Sequence, residues 1–235
     1  PLMKQYRQVH YVERKPHAMR ESVGRIIETL RSVRKQKKIF LFLIAFFFFI
    51  DGVYTIIDMA TAYGSALGLD STGLLLALLV TQFVAFPFSI LFGRLAEKYD
   101  TGKLILTCIA AYTGITVFAV FMKAQWQFWV LAIFVGMFQG GIQALSRSYF
   151  AKIVPPERSG EYFGLMDICG KGASFMGTTV VGLASQAFGS INIGISAIVF
   201  LFLAGALFFM KTEHSGSESM KNQENVIMEQ QMFHN

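Results

Sequence analysis

The sequence predicts an all-α membrane protein with six transmembrane helices, and three observations support this prediction. Residues 39–57 form an apolar run with a single charge, and roughly 20 such residues suffice for a helix to cross the hydrocarbon core of a bilayer. Hydrophobic residues make up 54% of the chain and charged residues 15%, against about 25% in an average soluble domain. Apolar runs of similar length recur along the chain. We place the six spans at residues 39–58, 72–92, 103–122, 127–145, 163–187 and 191–210.

The segment before the first span, residues 1–38, is strongly basic. It holds eleven Lys or Arg against three Glu, a balance of +8, whereas the remaining residues balance at −2. One helical face collects its apolar side chains, namely Val23, Ile26, Ile27, Leu30 and Val33. We interpret the segment as a basic cytoplasmic linker with an amphipathic helix. That helix either lies on an anionic membrane surface or packs against the rest of the protein.

Basic residues alternate between the two sides of the predicted spans. The connectors after the second and fourth spans carry Lys or Arg, whereas the connector at residues 59–71 and the last hairpin carry none. The positive-inside rule therefore places both termini in the cytoplasm. Residues 39–210 form the transmembrane domain. Residues 211–235 are polar and rich in Ser, Glu and Gln, and we predict a disordered cytoplasmic tail.

The first span carries a carboxylate, Asp51, behind four consecutive phenylalanines. Asp51, Tyr54, Thr55 and Asp58 are spaced i, i+3, i+4, i+7, so they share one helical face. A rise of 1.5 Å per residue places Asp51 roughly 18 Å into the span. A charge at that depth costs at least about 2.5–3.5 kcal/mol on insertion scales. We hypothesise that Asp51 is a protonatable or substrate-binding carboxylate, with Tyr54 and Thr55 beside it.

The fourth and fifth spans carry two further polar stripes. Gln139, Gln143 and Arg147 recur at i, i+4, i+8 in span four, and Asp167 precedes Lys171 by four residues in span five. The acid-first order favours an ion pair along the helix. We predict that Gln143 and Arg147 shape the inner mouth of a path, and that Asp167 and Lys171 form a gating or charge-compensating pair. The alternative is that these stripes form hydrogen bonds between helices and stabilise the bundle only.

The chain shows no pattern typical of an enzyme. It has no phosphate-binding loop, no metal-ligand spacing and no nucleophile–base pair. We therefore expect no enzymatic activity, no cofactor and no metal. Because the basic segment runs directly into a membrane span, we expect membrane lipids rather than nucleic acid as its partners.

Two segments resemble a known superfamily. Residues 93–103 read GRLAEKYDTGK, which resembles the cytoplasmic loop motif of the major facilitator superfamily. The matching positions are Gly93, Glu97, Lys98, Gly102 and Lys103. The loop departs from the motif by a Glu in place of the usual Asp at position 97, and by Asp100 where a second Gly is expected.

Residues 140–148 read GGIQALSRS and residues 51–57 read DGVYTII, and both resemble the autophagy vacuole-effluxer-like branch of that superfamily. The resemblance covers about residues 36–210 and matches the second half of a twelve-helix protein. It implies a six-helix half-bundle whose first, second, fourth and fifth helices line the path. If the chain is a fragment, a missing N-terminal six-helix half is implied as its partner.

The resemblance also implies a function. Such a protein is expected to be a secondary transporter that moves a small polar solute by alternating access, with ion or proton coupling. Fungal members of the branch suggest amino acids as the solute. The expected location is the plasma membrane of a bacterium, or the vacuolar membrane of a fungus. The alternative is a half-size six-helix scaffold or sensor without transport activity.

Overall fold

The computed structural model describes the backbone of residues 18–232 and the side chains of residues 28–215. Over this range the backbone is helical and contains no strand, so the predicted all-α fold is confirmed. The helices are α1 (Ala18–Lys35), α2 (Lys37–Ala66), α3 (Ser71–Lys98), α4 (Thr101–Val120), α5 (Gln125–Ile153), α6 (Ser159–Phe188) and α7 (Ile191–Met232). A short 3₁₀ turn, Pro156–Arg158, precedes α6.

Five of the described helices are long and apolar enough to cross a membrane. They are α2, α3, α4, α5 and the Ile191–Ser215 part of α7. Large apolar side chains lie on the outside, among them Phe83 at 78% exposure and Phe200 at 73%, as expected where a surface faces hydrocarbon. The protein is therefore an integral membrane protein. Helix α6 is 30 residues long but carries many Gly, Ser and Thr residues, so the sixth span and the orientation stay predictions.

The bundle is organised around α2, which contacts each of the other described helices. Helix α2 packs mainly on α6 and α7, α3 packs on α5, and α4 packs on α5 and α7. The α3–α5 contact is close because α5 presents glycines to α3. A Cβ added at Gly136 would lie 2.6 Å from the Thr81 carbonyl oxygen. Small residues at helix crossings give this kind of approach in membranes.

Two aspartates cap the helices that follow the first two connectors. Asp70 accepts a hydrogen bond from the Gly73 backbone N–H at 2.7 Å, and Asp100 accepts one from the Lys103 N–H at 2.9 Å. Asp100 is one of the two residues, with Glu97, that depart from the superfamily loop motif. In place of the expected glycine, the chain has a side chain that satisfies a free N–H at the start of α4.

Replacing Asp100 with alanine is expected to lower the free energy of unfolding by about 1 kcal/mol, because the cap of α4 is lost. Thermal unfolding of the full-length protein in detergent measures this loss. Asp100→Asn is the matched control, since asparagine caps helices as well as aspartate does. Equal melting temperatures for the Ala and Asn variants would show that the cap contributes nothing.

The end of α1 packs on the protein rather than pointing away from it. Thr29 and Val33 are 2% and 1% exposed, and the Thr29 hydroxyl donates to Glu161 at 3.2 Å. Gln36 donates to the Tyr162 hydroxyl at 3.0 Å. Of the predicted apolar face, Val33 is buried and Leu30 is 44% exposed, while the side chains of Val23, Ile26 and Ile27 lie outside the described residues. The membrane-surface interpretation of that face stays a prediction.

The backbone of α7 continues past the last predicted span. It is helical across residues 211–232, where the sequence analysis expects a disordered tail. Glu, Lys, Gln and Met recur in this segment, and these residues have high helix propensity. A helix begun in the span can therefore extend into the polar segment without a new nucleation step.

Candidate functional site

Polar side chains from three helices meet at one cavity of about 100 Å³ between α2, α5 and α6. We call this cavity the polar cleft. Its polar lining consists of Tyr54 from α2, Gln143 and Arg147 from α5, and Asp167 and Lys171 from α6. The sequence analysis predicted these five residues from three separate stripes. The structure brings them together at one place.

The charged pair in the polar cleft joins two helices. The Arg147 Nη2 atom lies 2.8 Å from the Asp167 Oδ1 atom, and the two side chains are 60% and 49% exposed. The partner predicted for Asp167 was Lys171, one turn along the same helix. The observed partner comes from the facing helix because a long guanidinium can reach across and form a short, charge-assisted hydrogen bond. Lys171 lines the same cavity and is exposed.

Asp51 lies behind the polar cleft rather than in its wall. It is fully buried, and its Oδ1 atom accepts hydrogen bonds from the Gly177 backbone N–H at 2.8 Å and from the Thr55 hydroxyl at 3.4 Å. Its Oδ2 atom is buried and has no hydrogen-bond partner among the described residues. An unpaired buried oxygen on a carboxylate is costly and calls for an explanation. A proton on Oδ2 is the simplest way to lower that cost, since it neutralises the group.

The polar face predicted for α2 is divided between two surroundings. Tyr54 faces the polar cleft, whereas Asp51 and Thr55 face α6. Helix α6 presents Gly177 at this point, and a Cβ there would overlap Asp51 and Thr55. Further along α2, the exposed Asp58 accepts a hydrogen bond from Ser174 of α6 at 2.7 Å. The α2–α6 contact is therefore polar over about two turns.

Gln139 does not line the polar cleft. Its side chain is partly exposed, but its Oε1 atom is buried and has no hydrogen-bond partner among the described residues. It lies one turn from Gln143 on the same face of α5. Its role as a path residue stays a prediction.

The predicted loop motif lies at the end of the bundle where α3 meets α4. Gly93, Glu97 and Lys98 are exposed on the last turns of α3, and Lys103 is exposed on the first turn of α4. Gly102 alone of the five is buried. None of these five residues lines the polar cleft.

Gly102 is buried because α7 lies against it. A Cβ at Gly102 would lie 2.8 Å from the carboxyl carbon of Glu213, which accepts a hydrogen bond from the Tyr149 hydroxyl. Nearby, Lys152 donates to the Thr101 hydroxyl at 2.9 Å. Tyr149 and Glu213 were not predicted from the sequence. One feature of the sequence could have identified Glu213, because it is the first acidic residue after the last apolar run.

No group of three or more His, Cys, Asp or Glu side chains in the described part of the chain is arranged to hold a metal ion. The two cysteines, Cys108 and Cys169, are free thiols on different helices.

Comparisons with known proteins place these features in a family context. The sequence model of the family described as "Vacuole effluxer Atg22 like" matches residues 2–221. A Bacillus subtilis (strain 168) protein, "Uncharacterized MFS-type transporter YxiO", is 41% identical over 227 residues, which are 97% of this chain and 53% of that protein.

Fungal relatives match at lower identity. "Autophagy-related protein 22-2" of Aspergillus clavatus is 27% identical over 201 residues, 78% of this chain and 32% of the fungal protein. "Autophagy-related protein 22" of Saccharomyces cerevisiae (strain YJM789) is 29% identical over 178 residues, 68% of this chain and 33% of that protein. The chain thus spans about half the length of the bacterial relative and about a third of the fungal ones.

Proposed function

The chain belongs to the Atg22-like vacuole effluxer family of MFS-type transporters, and on that premise we propose that it moves a small zwitterionic solute through the polar cleft. We propose further that it acts as a six-helix half of a secondary transporter that works by alternating access, with both termini in the cytoplasm. Amino acids are the solute class that fits the charges of the cleft. The plasma membrane of a bacterium is the proposed location.

The observation that supports this proposal is the pair of opposite charges in the wall of one cavity. Arg147 and Asp167 are both about half exposed, so solute can reach them. A guanidinium binds a carboxylate through two parallel hydrogen bonds, and a carboxylate binds an ammonium group. A zwitterion can therefore replace the internal ion pair with two ion pairs of its own. Lys171 supplies a second cation for the solute carboxylate, and Tyr54 supplies a hydroxyl.

The same pair gives a way to couple binding to motion. Arg147 belongs to α5 and Asp167 to α6, so the ion pair links the two helices across the polar cleft. A solute that separates the pair would free α5 and α6 to move relative to each other. Transporters of this class alternate by rocking or gating of one repeat or bundle against the other around a fixed site.

Uptake into liposomes that contain the full-length protein tests the proposal. Three compounds that carry the same side chain are compared. They are a neutral α-amino acid, the corresponding amine without the carboxylate, and the corresponding acid without the amino group. The amino acid alone is expected to be transported. Asp167→Asn is expected to raise the KM for the amino acid by about tenfold to a hundredfold, because a charge-assisted hydrogen bond is lost.

Glu157→Gln is the control, because this exposed carboxylate lies in the 3₁₀ turn and outside the polar cleft. Its KM is expected to match that of the wild type. Equal uptake of all three compounds would exclude zwitterion recognition. An unchanged KM for Asp167→Asn would remove Asp167 from the solute site.

We further propose that Asp51 is the coupling carboxylate. It is buried next to the cleft, one of its oxygens is unpaired, and no Lys or Arg forms an ion pair with it in the described part of the chain. Its bond to the Gly177 N–H links α2 to α6, which also carries Asp167. Loss or gain of a proton at Asp51 would therefore change the contact between α2 and α6, which both line the polar cleft.

A further inference from the structure

A second cavity, unrelated to the polar cleft, lies between α4 and α5. It encloses about 430 Å³, within the roughly 300–1,000 Å³ of typical ligand pockets. Every side chain in its lining is apolar, including Ala111, Ile115 and Phe118 of α4 and Phe134 of α5. Gly114 forms part of the wall, and a Cβ added there would meet no atom within 4 Å. We call this cavity the apolar groove.

The apolar groove lies on the side of the bundle away from the polar cleft. Helix α4 packs on α5 and α7, whereas the cleft is formed by α2, α5 and α6. The groove is open to its surroundings, since Phe118 and Phe134 are 40% and 46% exposed although they line it. Both α4 and α5 are apolar enough to cross a membrane. The medium in contact with the groove is therefore lipid hydrocarbon.

The length and depth of the groove suit an acyl chain. The lining runs from residue 111 to 118 on α4 and from 130 to 138 on α5, which at 1.5 Å per residue is roughly 10–12 Å along the helices. One leaflet contributes about half of the roughly 30 Å hydrocarbon core. The groove thus follows most of one leaflet and ends about one to two turns before the α4–α5 hairpin.

The hairpin that follows the groove along both helices carries a charge. Lys123, its one basic residue, is exposed. Phe121 and Trp126 beside it are 72% and 65% exposed, and aromatic side chains of this kind mark the level of the lipid headgroups. An ammonium group at that level attracts the phosphate of an anionic lipid by opposite charge. Charge and groove therefore belong to one elongated site.

We propose that the apolar groove binds one acyl chain of an anionic phospholipid, whose phosphate lies beside Lys123. This lipid is held as a specific ligand, apart from the bulk lipid that surrounds the remaining helices. Its site is independent of solute transport, so it stands or falls separately from the function proposed for the polar cleft.

Photolabelling tests the proposal with the full-length protein in lipid nanodiscs. The probe is phosphatidylglycerol with a diazirine midway along one acyl chain, and adducts are mapped by mass spectrometry. We expect adducts to concentrate on residues 111–118 and 130–138. Gly114→Leu adds an apolar side chain to the wall of the groove, at a position where the added Cβ meets no atom within 4 Å, and is expected to reduce these adducts about tenfold. Ala110→Leu adds the same side chain on an exposed position of α4 outside the groove and is expected to leave them unchanged.

A second arm tests the headgroup. Phosphatidylcholine with the same diazirine chain is expected to label the groove less than phosphatidylglycerol, and Lys123→Gln is expected to remove that preference. Melting temperatures establish that each variant is folded. Groove labelling no stronger than labelling of the exposed face of α3 would overturn the proposal, because it would show bulk lipid only. Cross-links from the groove to a second copy of the protein or to another of its helices would overturn it too.

Discussion

Replacement of Gly177 with alanine is expected to lower the free energy of unfolding by about 2–5 kcal/mol and to abolish transport. The added Cβ would overlap both the Asp51 carboxylate and the Thr55 hydroxyl. To make room, either α6 moves away from α2 or the Asp51 and Thr55 side chains rotate away, and each change disrupts the 2.8 Å bond from the Gly177 N–H to Asp51. A buried carboxylate that loses its backbone donor is costly. Thermal unfolding and solute uptake of the full-length protein measure the two effects.

Gly182→Ala is the matched control, because it is the same substitution five residues further along the same helix. A Cβ at Gly182 meets no atom within 4 Å, so the change should be neutral or stabilising by up to about 1 kcal/mol. The double variant Asp51→Ala with Gly177→Ala should lose less stability than the two single variants together, since the first change removes one source of the overlap. Additive losses would show that Asp51 and Gly177 are not coupled.

The polar residues that line the cleft could be predicted from the sequence, but which of them form an ion pair could not. Helical spacing alone places Gln143 with Arg147, and Asp167 with Lys171, on common faces. Which residue of one face meets which residue of another depends on how each helix is rotated about its axis. That rotation is set by packing between helices, for example by glycines such as Gly136 that allow α5 to approach α3. The sequence analysis therefore assigned Asp167 a partner on its own helix.

The surroundings of Asp51 could not be predicted from the sequence either. The cost of its charge in a membrane span makes it a candidate functional residue, yet the spacing rule grouped it with Tyr54 on one broad face. Asp51 accepts a hydrogen bond from the backbone of Gly177, whereas Tyr54 lines the polar cleft. Glycine has no side chain, so a pattern of polar side chains in the sequence cannot identify Gly177 as this partner. The number and order of helices depend only on apolar runs and connectors, and these features are local in the sequence.

The replacement of Asp51 with asparagine is expected to abolish the response of transport to a pH gradient. An imposed gradient of one pH unit on one coupled proton supports about tenfold accumulation of solute in liposomes that contain the wild-type protein. The variant should equilibrate solute without accumulating it, because a carboxamide does not exchange a proton over this pH range. Its Oδ1 atom can still accept the Gly177 N–H, so the α2–α6 contact should persist. Uptake under gradients of both orientations measures the difference.

The matched control for this change is Asp58→Asn, on the same helix and also hydrogen-bonded to α6, but exposed. Because Asp58 is exposed, its replacement changes no buried carboxylate, so Asp58→Asn should accumulate solute like the wild type. Gradient-driven accumulation by Asp51→Asn would exclude Asp51 as the coupling group. If only Asp58→Asn lost accumulation, the coupling group would be Asp58 instead of Asp51. That outcome would leave the buried Oδ2 atom of Asp51 without a part in coupling.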